Sequence, residues 1–268
     1  MKIVELENAV ETGLFGSKAV GLGQAIRDGL PTPPGVALCG ATVESVASGN
    51  QETLARVLAK VEPLPLPLAV RSSAADEDGA QASFAGQHLT LLNISSADQI
   101  AKALSDIWWS ANSDSAITYR QRVGLFTRPF VGAVIQSLLD PDAAGVMFTR
   151  SPMDGSNTRM IEASWGLGEA VVSGAVIPDH FQIDPEGNIL VRQPGQKQVR
   201  IRPSTDGGTV TEAVQSALAE KPCVEDHHLA ALNDLAAQCE KLYGPGRDIE
   251  WARCGDTIYV LQCRAITR

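Results

Sequence analysis

The segment 248-DIEWARCGDTIYVLQCR-264 carries two carboxylates at one end and an amide and a guanidinium at the other. Side chains alternate across a strand, so Asp248 and Glu250 share a face, and so do Gln262 and Arg264. A two-residue turn around Gly255 and Asp256 makes this segment a hairpin and brings its two ends side by side. Two carboxylates at that spacing suit Mg²⁺, which takes oxygen ligands and usually shares them with substrate phosphates. An arginine beside them can fork onto two phosphate oxygens. The same residues also fit a solvated hairpin edge with cross-strand ion pairs.

A second stretch, 70-VRSSAADEDGAQASFAG-86, contains almost nothing that fills a core. Arg71 stands at the end of an apolar strand, and Ser72 and Ser73 add hydroxyls. Ser83, Phe84, Ala85 and Gly86 then turn toward a strand that carries Thr90. Glycine lets backbone amides come close to an anion, so this loop reads as a phosphate cover or as an acidic surface loop. Lys18 lies in the first turn of a helix, after Gly16. Helix N-termini attract anions and a lysine adds a point charge there, although a solvated lysine also fits. The spacing is not that of a P-loop. The run 160-MIEASWGLGEAVVSG-174 joins a strand to a glycine turn bearing Glu162 and Glu169, with Trp165 read as packing.

These residues need elements to hold them. Ser17 reads as the N-cap of a helix striped by Ala19, Leu22, Ala25 and Ile26, which Gly29 and the following prolines stop. Ser96 with Gln99 forms a capping box for a helix carrying Ile100, Leu104, Ile107 and Trp108 on one face. Helical patterns also cover 51–60, 113–123, 211–220 and 227–243, the last ended by Gly244. Strand-like runs occupy 88–94, 130–136, 145–149, 159–164, 180–184, 189–192 and 198–201, before the closing hairpin. Strands cluster in mid-chain instead of alternating with helices. The pattern therefore predicts an α+β fold with largely antiparallel sheets. Glycine and proline concentrate near 125–130 and 204–210, and the division expected is 1–128 and 129–268.

Composition narrows the function. The net charge of −9 argues against a nucleic-acid partner, which needs a basic face. No apolar run approaches the roughly 20 residues that span a bilayer. The start, MKIVELENAV, lacks the apolar core of a signal peptide, so a cytoplasmic location is expected. The 5 cysteines are scattered without a C-x-x-C pair, and His88, His180, His227 and His228 show no metal-ligand spacing.

The segments 16-GSKAVGLGQ-24, 70-VRSSAADED-78 with 83-SFAGQ-87, 145-GVMFTRSP-152, 161-IEASWGLGEAVVSG-174, and 248-DIEWA-252 with 261-LQCR-264 span nearly the whole chain. In that order they resemble the N-terminal ATP-binding domain of the pyruvate phosphate dikinase and phosphoenolpyruvate synthase group. Rifampin phosphotransferase and the small subunit of phenylphosphate synthase share that domain. The resemblance implies an ATP-grasp-like fold, with two lobes enclosing a nucleotide cleft for ATP and Mg²⁺. It makes Lys18, Arg71 and Arg264 the catalytic cations. It assigns Gly86 and Thr90 to the phosphate-covering loop and its following strand, and Gln136 to the adenine-binding connection. Glu250 and Gln262 become metal and phosphate contacts with Asp248 beside them. Thr149 and Glu169 are the looser carry-overs to the nucleotide.

Two departures from the pattern bear on function. The stretch from 44 to 68 is shorter than is usual in the family, so part of a lobe is expected to be trimmed. No swivelling domain with a phosphorylatable histidine follows, so the phosphoryl acceptor is expected elsewhere. Three functions then compete. One is a phosphotransferase acting on a small-molecule acceptor. Another is the ATP-binding subunit of a split dikinase whose partner, a swivelling-domain protein, supplies the acceptor histidine. The third is a nucleotide-binding sensor without catalysis. Whether the β- or γ-phosphoryl group moves is open at this point.

Overall fold

The computed structural model describes residues 1–75, 89–122 and 130–266. The chain divides into two compact units. The first comprises Met1–Arg27, Pro33–Leu138 and Thr205–Gly208, and the second Asp28–Thr32, Leu139–Ser204 and Thr209–Arg268. The lobe change expected at 128/129 falls within residues 123–129, which lie outside the described ones.

The first unit is built on an antiparallel sheet of β1 (Ile3–Glu5), β2 (Gly35–Leu38), β3 (Leu68–Ala74), β4 (Thr90–Ile94) and β5 (Val131–Ser137). Their order is β1-β2-β5-β3-β4. Helices α1 (Thr12–Phe15) and α2 (Ser17–Arg27) cover one face, where Phe15, Ala19 and Leu22 meet Ala37 and Val134. Helices α3 (Gly40–Ala47), α4 (Gln51–Val61) and α5 (Ala97–Ala111) cover the other, with α6 (Asp114–Arg122) following α5. There Ile100, Leu104 and Ile107 pack on Val36, Val70 and Ile135. Each fully buried side chain of this kind contributes about 1.5–3 kcal/mol. The stripe on α5 is the one its sequence period predicts, and the capping box forms: Ser96 Oγ accepts from Gln99 N at 3.3 Å.

The second unit holds a six-stranded antiparallel sheet. Its strands are β6 (Ala143–Phe148), β7 (Arg159–Trp165), β8 (Asp179–Ile183), β9 (Ile189–Gln193), β12 (Arg247–Cys254) and β13 (Thr257–Ala265). The order is β13-β12-β6-β7-β8-β9. A separate ribbon pairs β10 (Val199–Pro203) with β11 (Thr209–Ala213). Short helices α7 (Glu169–Val172) and α8 (Ser216–Ala219) precede the long α9 (Asp226–Tyr243), which Gly244 ends at a φ of 85°. α9 packs on β12 and β13 through an apolar side that includes Leu232, Leu235 and Cys239. The architecture is thus α+β with antiparallel sheets, as the sequence pattern predicts.

Two local expectations are corrected. The helix predicted over 211–220 forms only as the single turn α8, and its start belongs to strand β11. Val210 and Thr211 are β-branched, and Glu212 lies opposite Arg200, which donates to it at 3.0 Å. That pairing overrides the helical preference of Ala213. Ser17 does not cap α2 from outside. It is the first helical residue, and its hydroxyl donates to Ala75 O at 3.0 Å.

Among the described residues, no helix is long and apolar enough to cross a membrane.

Candidate functional site

The closing hairpin forms with the expected two-residue turn, pairing Cys254 with Thr257. Strict pairing from that turn, however, would set Leu261 opposite Glu250 and Cys263 opposite Asp248. Gln262 and Arg264 would then project from the other face. The structure avoids this with one extra residue, Leu261, on β13. The register shifts between Glu250 and Trp251, so Glu250 lies opposite Gln262 and Asp248 opposite Arg264. A bulge of this kind re-aims the side chains beyond it. The turn alone does not bring the four polar groups together; the turn and the bulge do.

The two faces of this hairpin differ sharply. Ile249 and Trp251 are fully buried, and Cys263 lies opposite Ile249. Cys263 reaches Cys239 of α9, and this contact together with burial drives the Cys239 thiol far above its ordinary value. The opposite face holds the polar set. Asp248 is 9% exposed, Gln262 is buried and Glu250 is half-buried. Arg264 donates to Asp248 Oδ2 from Nε at 2.9 Å and approaches it with Nη2 at 2.8 Å. Burial still raises the Asp248 carboxyl above its ordinary value. Arg264 opposes the rise and the neighbouring Glu250 adds to it.

In the first unit, the helix-start and Val-Arg-Ser-Ser segments are bound to each other. The Lys18 ammonium donates to Ser72 O at 2.9 Å, and the Ala19 amide donates to Ser73 Oγ at 3.0 Å. Gly16 must be glycine here. Its φ is +84°, and an added Cβ would lie 2.1 Å from Ser73 O. Lys18 is consequently buried in spite of its charge. Arg71 sits one position earlier on β3, opposite Thr90 of β4 and Val134 of β5, on the sheet face that α2 covers. Thr90 is exposed at the start of β4. Gly86 lies outside the described residues.

Three further positions carry other bonds. Gln136 is buried in β5 and donates from Nε2 to Pro33 O at 3.0 Å. The Thr149 hydroxyl donates to Glu240 Oε1 at 2.9 Å and accepts from Arg247 N at 2.9 Å, which joins the end of β6 to β12 and α9. Glu169 begins α7 and accepts from Thr209 Oγ1 at 3.4 Å.

Folding also assembles a group that sequence spacing did not reveal. His227, His228 and Asp256 bring ligand-type atoms within 4.8 Å of one another. The His228 ring, however, accepts at Nδ1 from Glu225 N at 3.0 Å. Its proton therefore sits on Nε2, the nitrogen that faces Asp256 Oδ1 at 3.7 Å. A ligating histidine shows the opposite arrangement, donating from its second nitrogen. The group suits a helix cap that leans on the β12–β13 turn better than it suits a metal. Strand register gives a place to Glu162, which the sequence marks only as part of the glycine-turn segment. It lies opposite Val146, which is itself opposite Glu250. Alternation along β7 could have marked the facing of Glu162, but not the strands beside it.

Comparison with known proteins gives a family. The sequence model for "Pyruvate phosphate dikinase, AMP/ATP-binding domain" matches residues 44–268. A probable phosphoenolpyruvate synthase from Methanothermobacter thermautotrophicus is 32% identical over 304 aligned residues, covering 96% of this chain and 44% of that protein. A rifampicin phosphotransferase from Bacillus subtilis is 37% identical over 202, covering 74% of this chain and 23% of that protein. The chain thus spans less than half the length of these relatives. Among solved structures, a D-alanine–D-alanine ligase from Bacillus anthracis complexed with ATP aligns with a TM-score of 0.43 at 9% identity, over 97% of this chain and 57% of that one.

Proposed function

Because the chain belongs to the pyruvate phosphate dikinase AMP/ATP-binding domain family, we propose that it is an ATP-grasp-like module that binds Mg²⁺-ATP and transfers a phosphoryl group to a small-molecule acceptor. The observation that carries this reading is the bulge at Leu261. It places Asp248, Glu250, Gln262 and Arg264 on one face at one end of a sheet. A hairpin serving only as an edge has no need to gather them there.

The donor set fits Mg²⁺. Asp248, Glu250 and the Gln262 side-chain oxygen are the residues that would hold it, an oxygen-only group with two carboxylates. Glu250 adds to the rise that burial imposes on the Asp248 carboxyl, and two acids this close suit a cation. When bound, the ion supplies charge neutralisation on the phosphate oxygens. Arg264, anchored on Asp248, holds a fixed positive charge for the same oxygens. In this reading Lys18 is pre-positioned by Ser72 O and, with Arg71, neutralises phosphate. Gly86 and Thr90 border the phosphates, while Gln136, Thr149 and Glu169 frame the nucleotide. For Thr149 the role is positional, since its hydroxyl already bridges Glu240 and Arg247. Phosphoryl transfer needs charge neutralisation and alignment more than covalent chemistry, and these residues offer both.

A second reading places the acceptor on a histidine of a separate swivelling-domain protein. It is supported by the relatives, in which the matched region is one part of a longer enzyme. Product analysis separates the two. Incubation with ATP, Mg²⁺ and a panel of hydroxylated metabolites should give ADP that depends on the metabolite. AMP formation would favour the second reading. No consumption of ATP in any mixture would contradict both.

A further inference from the structure

Helix α9 ends at Tyr243 and β12 begins at Arg247, so the link between them is only Gly244, Pro245 and Gly246. Both glycines hold a positive φ, 85° and 73°. Glycine gives such a link the freedom to turn but no stiffness of its own. Asp248 comes directly after Arg247. The direction in which its carboxylate points therefore depends on what fixes Gly246 and Arg247.

Glu240 fixes them. It stands in the last turn of α9, where the helix dipole disfavours an acid, and its side chain is only 18% exposed. Its Oε1 accepts from Gly246 N at 3.3 Å and from the Thr149 hydroxyl at 2.9 Å. The Thr149 oxygen in turn accepts from Arg247 N at 2.9 Å, and Thr149 N donates to Arg247 O at 2.8 Å. Arg150 Nε lies 3.5 Å from the same Oε1, and Arg159 Nη2 lies 4.0 Å from Oε2. One carboxylate thus joins the end of β6, the start of β7 and the first residues of β12. The junction lies behind the polar set. Thr149 alternates with Phe148, the residue across the ladder from Asp248, and Ile249, next to Asp248, is fully buried. Glu240 therefore acts on the carboxylates through the backbone from which they project.

We infer that Glu240 is a positioning residue for the metal and phosphate site: by fixing the start of β12 from behind, it sets the direction of Asp248 and Glu250. This rests on the phosphotransfer reading above. Anchoring matters here because Mg²⁺ demands near-ideal octahedral geometry, whereas Ca²⁺ accepts a looser set of oxygens at longer distances. A start of β12 that drifts should weaken Mg²⁺ more than Ca²⁺, a signature that a plain loss of stability does not produce.

The test measures ATP affinity by calorimetry without metal, with Mg²⁺ and with Ca²⁺, for the whole chain and for Glu240→Ala and Glu240→Gln. Glu240→Ala should cut the gain in affinity that Mg²⁺ confers by about tenfold, the lower end of what partners that orient metal ligands are worth. The gain from Ca²⁺ should fall less, and metal-free affinity should stay unchanged. Glu240→Gln keeps an acceptor oxygen for Gly246 N and Thr149 and should recover most of the loss. In the metal-free protein, amide exchange at Gly246 and Arg247 should quicken in the alanine variant. If that variant does not fold, Thr149→Val, which removes the bridging hydroxyl and little volume, carries the same expectations for the metals and for Arg247. A Mg²⁺ gain that survives Glu240→Ala would overturn the inference, as would unchanged exchange at the two amides. Equal losses with Mg²⁺, with Ca²⁺ and without metal would mark general damage and overturn it as well. So would a glutamine variant no better than alanine, since the effect would then belong to charge. If the unaltered protein takes up no nucleotide in any mixture, the phosphotransfer reading itself fails and the inference falls with it.

Discussion

Asp179 and Asp248 are both buried aspartates in the second unit, and they are treated oppositely. Asp179 is fully buried and surrounded by donors: Lys197 Nζ at 2.5 Å and Gly195 N at 2.8 Å on one oxygen, and Cys223 N at 2.8 Å on the other. Asp248 keeps a sliver of exposure. Its named cation, Arg264, sits at the rim with 42% of its side chain exposed, and a second acid, Glu250, lies nearby. The first site is complete without any ligand. The second sets one rim arginine against two acids, and burial makes Asp248 hold its proton more tightly than an ordinary aspartate. An enclosed ion pair with every donor in place anchors a fold; two neighbouring acids at the end of a strand are disposed to take a cation.

The largest effect should come from breaking the complete pair. Lys197→Met leaves Asp179 charged and enclosed, which costs about 3–5 kcal/mol. Thermal unfolding should fall on the order of 10 °C in a chain of this size. A melting temperature within a degree or two of the parent would show that the pair is not the anchor described. Next, Glu250→Gln should leave melting nearly unchanged but reduce phosphoryl transfer by about a hundredfold or more. Arg264→Ala should act in the same direction on turnover. Full turnover in either variant would remove the hairpin from the site.

The smallest effect sharpens the contrast most. A carboxyl whose folded pKa is raised contributes stability at low pH that is lost as pH rises through that value. At neutral pH the ionised Asp248 is therefore a net burden on the empty fold. Asp248→Asn should raise the melting temperature of the nucleotide-free protein by roughly 1–3 °C, as about 0.5–1 kcal/mol would, while weakening Mg²⁺-ATP binding. A lower melting temperature would mean that Asp248 is structural, like Asp179.

Much of the scaffold was legible because it depends on local pattern. The α5 stripe, its Ser96–Gln99 box and the Gly244 stop all rest on spacing within a few residues. Thr211 and Glu212 were misread because their state is decided by Ile201 and Arg200 across the ribbon, and no local pattern contains that pairing. The polar ends of the last hairpin were legible as types and spacing. Their convergence was expected from the turn, but the device that secures it was not legible, because Leu261 becomes the extra residue only through how β13 pairs with β12. Glu162 was named, but its neighbours were hidden for a related reason. Its facing follows from alternation, but its kinship with Glu250 follows from strand order, and β6 and β12 are separated by about a hundred residues of chain.

The most direct measurement is a calorimetric titration of the protein with ATP, with and without Mg²⁺, repeated on Glu250→Gln. The account predicts nucleotide uptake that is strongly enhanced by Mg²⁺ in the parent, with the enhancement largely lost in the variant. No uptake by the parent, or uptake indifferent to both the ion and the substitution, would contradict it.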